Sequence, residues 1–180
     1  VLLARAARMP AEDVAPLRYG PPVSPHLAAE LAHERIDPAR LLRGARAAHD
    51  GALVVEGVGG LLTPLTDDFA VRDLAAALGL PVLIAARPGL GTINHTLLTV
   101  QAARAAGLEL CAVVMTPWPG DPSRMELSNR RTIARLGAVE VHGLDILDGP
   151  DPADLARAGE DLPWRGWLGE PQPGVPARAA

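Results

Sequence analysis

Lysine is absent from all 180 residues, so every cation the chain offers comes from Arg or His. Cysteine is nearly absent too. A single one, Cys111, excludes an internal disulfide, and its place in the apolar run Leu110 to Val114 reads as a small core residue rather than a nucleophile. Aromatic residues are only 3% of the chain against 48% hydrophobic, so a core must be built from Leu, Val, Ile and Ala, as in layered α/β proteins. No apolar run approaches the roughly 20 residues that cross a bilayer, and the first residues lack the basic, apolar and small-residue order of a signal peptide. The net charge of −4 gives no electrostatic footprint for nucleic acid or an anionic membrane, so neither is an expected partner. The lone thiol fits a cytoplasmic location.

What is present alternates. The length suits one domain, expected over residues 1–168, with a disordered tail over 169–180. The chain opens at Val1 with no initiator Met, and Leu2, Leu3 and Ala6 recur at helical spacing from there, which reads as a chain cut at its front. Asp37 and Pro38 are a helix start, followed by an apolar face of Leu41, Leu42, Ala45 and Ala48. Leu53 to Val55 reads as a buried central strand, Val71 to Leu78 as a helix stopped by Gly79, and Pro81 to Ala85 as a second buried strand. Thr92 as N-cap opens a helix with Ile93, Leu97, Val100 and Ala103 on one face and Gly107 as its stop. A third strand is expected over Cys111 to Met115. Beyond it lie a proline-rich loop to Pro122, a helix from Met125 to Leu136 ended by Gly137, a short strand Val139 to Val141, and a helix near Asp151 to Arg157. Such alternation predicts an α/β fold with right-handed crossovers and a mostly parallel sheet.

Chemistry-bearing residues gather where strands give way to loops. Glu56 follows an apolar strand and precedes Gly57, Val58, Gly59 and Gly60. A carboxylate beside glycines that admit backbone amides suits a Mg²⁺-phosphate site, and a tight turn capped by Glu56 is the open alternative. Pro88 to His95 lies at a strand-to-helix handover where unpaired amides would favour an anion. An ordinary turn capped by Thr92 explains the same residues, and His95 is either a ligand or a structural histidine. Pro21 to His26 forms a stiff loop in which Ser24 can cap the next helix. No Gly-x-Ser-x-Gly elbow surrounds Ser24. Asp67 and Asp68 read as caps for the helix entering Val71, and Arg130 with Arg131 as a solvated helix face.

The segments VEGVGGLLTPL and GLPVLIAARPGLGTINHTLLTVQAARAAGL, with SPH upstream, together resemble the dethiobiotin synthetase family from about Tyr19 to Leu136. The resemblance implies a three-layer P-loop NTPase-like fold with a mostly parallel central sheet, usually in a homodimer. It implies a ligase that uses ATP to join CO₂, or bicarbonate, to 7,8-diaminopelargonic acid through a carbamate and closes the ring to dethiobiotin. Glu56 would then be the Mg²⁺ ligand. Glu56, Gly57, Val58 and Gly59 would border the nucleotide phosphates, and Thr116 and Pro117 would take the place of the adenine-recognising Asn-Asp. Gly89, Leu90, Gly91, Thr92, Ile93 and Asn94 would receive the substrate carboxylate across the dimer interface.

The departures are specific. The family's GxxxxGKT phosphate loop, and with it the first strand, matches nothing in these 180 residues. The family's lysines would all precede Val1, so the chain itself supplies no catalytic residue. The expectation is that an enzyme would extend N-terminally by about 45 to 50 residues, because otherwise nothing neutralises the β and γ phosphates. The alternatives are an inactive remnant that dimerises or binds ligand, and a related P-loop amidoligase or ATPase with another substrate. Thr116 and Pro117 cannot match the two-sided amide of Asn, which relaxes base selectivity.

Overall fold

A computed structural model describes residues 2–47, 52–147, 149 and 151–169, which gather into two compact units. Three expectations fall outside the described residues: the chain start at Val1, ahead of which the family's lysines are expected, the apolar position Ala48, and the tail beyond Gly169.

The first unit holds the described residues up to Leu80 together with Ala105–Leu108. It is helical: α1 (Leu2–Ala7), α2 (Ala11–Val14), α3 (Pro25–Leu31), α4 (Pro38–Ala47) and α5 (Val71–Leu78). The helical spacing read just after Val1 is thus met by α1, which begins at Leu2. Asp37 Oδ1 accepts from Ala39 N at 2.9 Å and starts α4 as expected. Ser24 stands at the N-cap of α3, yet its hydroxyl makes no capping bond. Helix α5 has the expected bounds and ends at Gly79, φ +66°. Its cap differs from expectation. Asp73, inside the first turn, accepts from Ala70 N at 2.8 Å, whereas Asp68 accepts from the Thr66 hydroxyl in the preceding turn.

The apolar run Leu53 to Val55 is not a strand. Residues 52–57 have no regular structure, and Val54 is 85% exposed. A strand exists only through a hydrogen-bonding neighbour, and the isolated bridge Pro64–Ala70 is the one pairing described in this unit.

The second unit, from Pro81 to Arg104 and from Glu109 onward, carries the sheet. Its elements are β1 (Val82–Ala86), α6 (Thr92–Ala105), β2 (Leu110–Trp118), α7 (Arg124–Gly137), β3 (Val141–Asp145), α8 (Pro152–Glu160) and α9 (Trp164–Trp167). The strands lie in the order β1-β2-β3, all parallel, with Ile84 opposite Val113 and Val113 opposite Val141. This α/β sheet with helical crossovers is consistent with the expected P-loop-like class. Cys111 to Met115 are all buried, because β2 has a neighbour on each side. Val100 from α6 and Ile133 from α7 pack on that sheet with Val113, Met115 and Trp118.

Several boundaries differ from expectation for identifiable reasons. Strand β1 is buried only at Ile84, and Leu83 stays 45% exposed, as suits a strand at the border of the described sheet. Strand β2 runs through Thr116 and Pro117 to Trp118, into what reads as loop. Helix α7 keeps Gly137 and puts Ala138 in the left-handed conformation, φ +43°. Gly137 is needed for packing: a Cβ there would meet Leu97 at 3.3 Å and Val139 at 3.1 Å. Val139 belongs to that closing turn, so β3 begins at Val141 instead.

Trp118 lies directly on the backbone of Gly143, where a Cβ would sit 2.6 Å from the ring. Gly143→Ala is therefore expected to destabilise the protein by about 1–3 kcal/mol and to alter tryptophan fluorescence. Chemical denaturation followed by emission checks both. The Ala70 amide, then Arg72, hold the Asp73 carboxyl below its usual 3.8 despite some opposing burial. A carboxyl lowered in the folded state stabilises above its unfolded value and loses that contribution as the pH falls through the folded one. Thermal unfolding of Asp73→Ala should accordingly show a deficit at neutral pH that closes below pH 3.8.

Candidate functional site at the strand ends

Two sets of candidate residues lie in the two units and are described separately. In the first unit, Glu56 to Gly60 are exposed. The loop docks on the start of α5, since Leu61 O accepts from Arg72 N at 2.8 Å and Thr63 O from Val71 N at 3.0 Å. Those carbonyls consume amides that a helix start would otherwise offer to an anion. Gly59 has φ +82°, and Gly60 N donates to Thr63 Oγ1 at 2.8 Å, so this glycine pair makes a turn clasped by Thr63. Gly57 passes so close to Val71 that a Cβ would stand 2.6 Å from its Cγ1. Glu56 enters none of the described hydrogen bonds or ion pairs. Its carboxylate is available, and no cluster of three or more His, Cys, Asp or Glu able to hold a metal occurs among the described residues.

In the second unit the parallel strands deliver three loops to one end of the sheet. The loop after β1 runs through Arg87 to Gly91 into α6. Gly91 O accepts from His95 N at 3.2 Å, which makes Gly91, not Thr92, the cap residue. Thr92 turns inward: it is buried, its N–H goes to Gly89 O at 3.3 Å, and its hydroxyl pairs with that of Thr96 at 3.2 Å. The N–H groups of Gly89, Leu90, Gly91, Ile93 and Asn94 have no acceptor among the described residues. Leu90 is 94% exposed, and Asn94 and His95 are exposed beside it. Unpaired amides, a positive helix end and open access together form an anion-binding arrangement.

At the carboxyl end of β2, Thr116 is half-buried and Pro117 exposed, while Trp118 is buried and accepts from Ile146 N through its carbonyl at 3.1 Å. Arg130 is not a free solvated residue. Its guanidinium lies 5.6 Å from the Trp118 ring centre, and its Nε donates to Val141 O at 3.0 Å, whereas Arg131 is exposed as expected. Asn129, which no sequence motif singles out, is buried and donates to Pro88 O at 2.9 Å and to Gly89 O at 3.2 Å. Its polarity at a position shared by the buried face of α7 is the signal that could have found it. Trp167 meets His142 edge-on at 5.6 Å at the far, amino-terminal side of β3.

A family described as an AAA domain matches residues 3–144. The chain is 48% identical to the ATP-dependent dethiobiotin synthetase BioD of Anaeromyxobacter dehalogenans strain 2CP-1, over 85% of this chain and 68% of that protein. The enzyme of the same name from strain 2CP-C is 45% identical over 83% of this chain and 67% of its own length. The chain belongs to the dethiobiotin synthetase family. A bifunctional biotin biosynthesis protein BioCD from Bordetella avium is also 41% identical, with 31% of its length matched. The sequence resemblance thus rests on most of the chain and not on one motif.

In this dethiobiotin synthetase family member Gly91 has φ +88°, a conformation that a side chain disfavours. Gly91→Ala should cost about 1–2 kcal/mol, which thermal unfolding against the native protein would measure.

Proposed function

We propose that this chain acts in the ATP-dependent conversion of 7,8-diaminopelargonic acid and CO₂ into dethiobiotin. The observation that carries the reading is the start of α6, where the amides of Gly89, Leu90, Gly91, Ile93 and Asn94 have no acceptor among the described residues, in a chain 48% identical to a named dethiobiotin synthetase. A long diamine acid needs its carboxylate anchored away from its reacting amines, and a helix start does this without a lysine. One amine then takes up CO₂ as a carbamate, the terminal phosphoryl group of ATP passes to a carbamate oxygen, and the second amine attacks that carbon as phosphate leaves. The charge that develops lies on phosphoryl oxygens, so fixed electrostatics, not a protein nucleophile, is what the reaction requires.

The magnesium assignment is part of the same proposal. Mg²⁺ commonly takes one or two protein carboxylates and fills its remaining positions with phosphate and water, so a single exposed, uncommitted Glu56 fits as its ligand. Bound there, the ion would neutralise phosphate charge. Glu56, Gly57, Val58 and Gly59 would border the phosphates, and Thr116 and Pro117 the base. We further read the assembly as a homodimer, supported by the exposed Leu90 and Leu98 on and beside the anion loop, and its location as cytoplasmic. No described helix is long and apolar enough to cross a membrane.

Labelled bicarbonate tests the reading. Full-length protein with diaminopelargonate, ATP and Mg²⁺ should release labelled dethiobiotin, and no incorporation would refute the assignment. Glu56→Gln should leave thermal unfolding nearly unchanged while raising the Mg²⁺ requirement for turnover by about 10- to 100-fold. Unchanged kinetics would remove Glu56 from the magnesium site.

A further inference from the structure

We propose that Asn129 is a positioning residue that aims the backbone amides of the α6 loop at the substrate anion; the inference rests on the functional reading above. Asn is a mediocre helix former, and α7 nevertheless carries one in its interior, 8% exposed. A buried carboxamide is costly unless paired, and this one directs its donors to two successive carbonyls, Pro88 O at 2.9 Å and Gly89 O at 3.2 Å. Two adjacent peptide planes are thereby fixed at once.

The stereochemistry follows from the planarity of the peptide unit. In a trans peptide the N–H points opposite to the C=O of the same plane. The single cis bond among the described residues is Thr116–Pro117, so both loop peptides are trans. Drawing Pro88 O and Gly89 O toward α7 therefore turns the N–H groups of Gly89 and Leu90 away from it. These two amides are unpaired, and Leu90 faces solvent. The same pull removes two negative carbonyl ends from the place an anion would occupy, and it holds Gly89 O where Thr92 N bonds it at 3.3 Å. Asn129 thus acts through the loop, without needing to touch the ligand.

The test uses full-length enzyme with Asn129→Leu, which keeps the branching at Cγ and deletes the donors, and Asn129→Asp, which keeps the shape. Ile133→Val, one turn further along α7, serves as a control for lost packing. Asn129→Leu should raise KM for diaminopelargonate about 10- to 100-fold with KM for ATP unchanged. In Asn129→Asp a carboxylate would face two carbonyls, which raises its pKa. Relative to the native enzyme its substrate KM should then recover in part as the pH falls from about 8 to about 6, because only the protonated acid can donate, and to one of the two carbonyls. A pH-independent defect, or an equal rise in both KM values, overturns the proposal, as does a defect no larger than that of Ile133→Val. Hydrogen exchange at the Thr92 and His95 amides gives a second readout that needs no turnover. Faster exchange in Asn129→Leu than in Ile133→Val is expected, and equal protection overturns the clamp even if dethiobiotin is formed. A wild-type protein that forms no dethiobiotin while the exchange difference persists overturns the proposed function, and with it the substrate assignment of the loop, but not the clamp.

Discussion

Strand β2 can exist only with a strand on either side of it. Its residues Ala112, Val113 and Met115 are wholly buried, so every backbone donor and acceptor along it must be satisfied by β1 or β3. Because all three strands are parallel, their carboxyl ends fall together, and the loop into α6, the Thr116 to Trp118 segment and the Asp145 to Ile146 segment share one edge of the unit. The buried strand thus decides where a ligand can be met, before any polar residue is considered. Helices α6 and α7 pack Val100 and Ile133 onto this strand, which brings Asn129 within reach of the loop.

The chemistry of the site follows from what the chain lacks. Without lysine, these residues can hold anions by arginine or by backbone dipoles; Arg130 is committed to Trp118 and Val141, and Arg87 is exposed ahead of the loop glycines. The unpaired amides at the start of α6 are suited to the anion role instead. Such a device works in a chain of net charge −4, because helix ends carry their partial charge regardless of side-chain composition.

Much of the fold was legible in the residues. Local rules sufficed for α5 with Gly79, for the Asp37 cap and for the apolar strand β2, each of which depends on near neighbours or on unbroken hydrophobicity. The differences from expectation mostly involve a partner distant in sequence. Leu53 to Val55 has strand composition but no described strand to pair with. Gly137 has the look of a helix stop, while contact with Leu97 holds it inside the helix and passes the left-handed position to Ala138. Thr92 has the look of a cap and turns inward to Thr96. The place of the α6 loop between a strand and a helix was legible from its glycines and from the apolar run before it. The side chain that clamps it, 41 residues further along, could not be read from that motif.

The central claim is that loop amides, not side-chain cations, receive the substrate carboxylate. Backbone amide resonances of the full-length protein, followed while diaminopelargonate is titrated in the absence of nucleotide, test it directly. Large shifts at Gly89, Leu90, Gly91, Ile93 and Asn94, with Thr92 moving least, are predicted. Shifts confined to Gly57 to Gly60, or to arginine side chains with the loop unmoved, would contradict it.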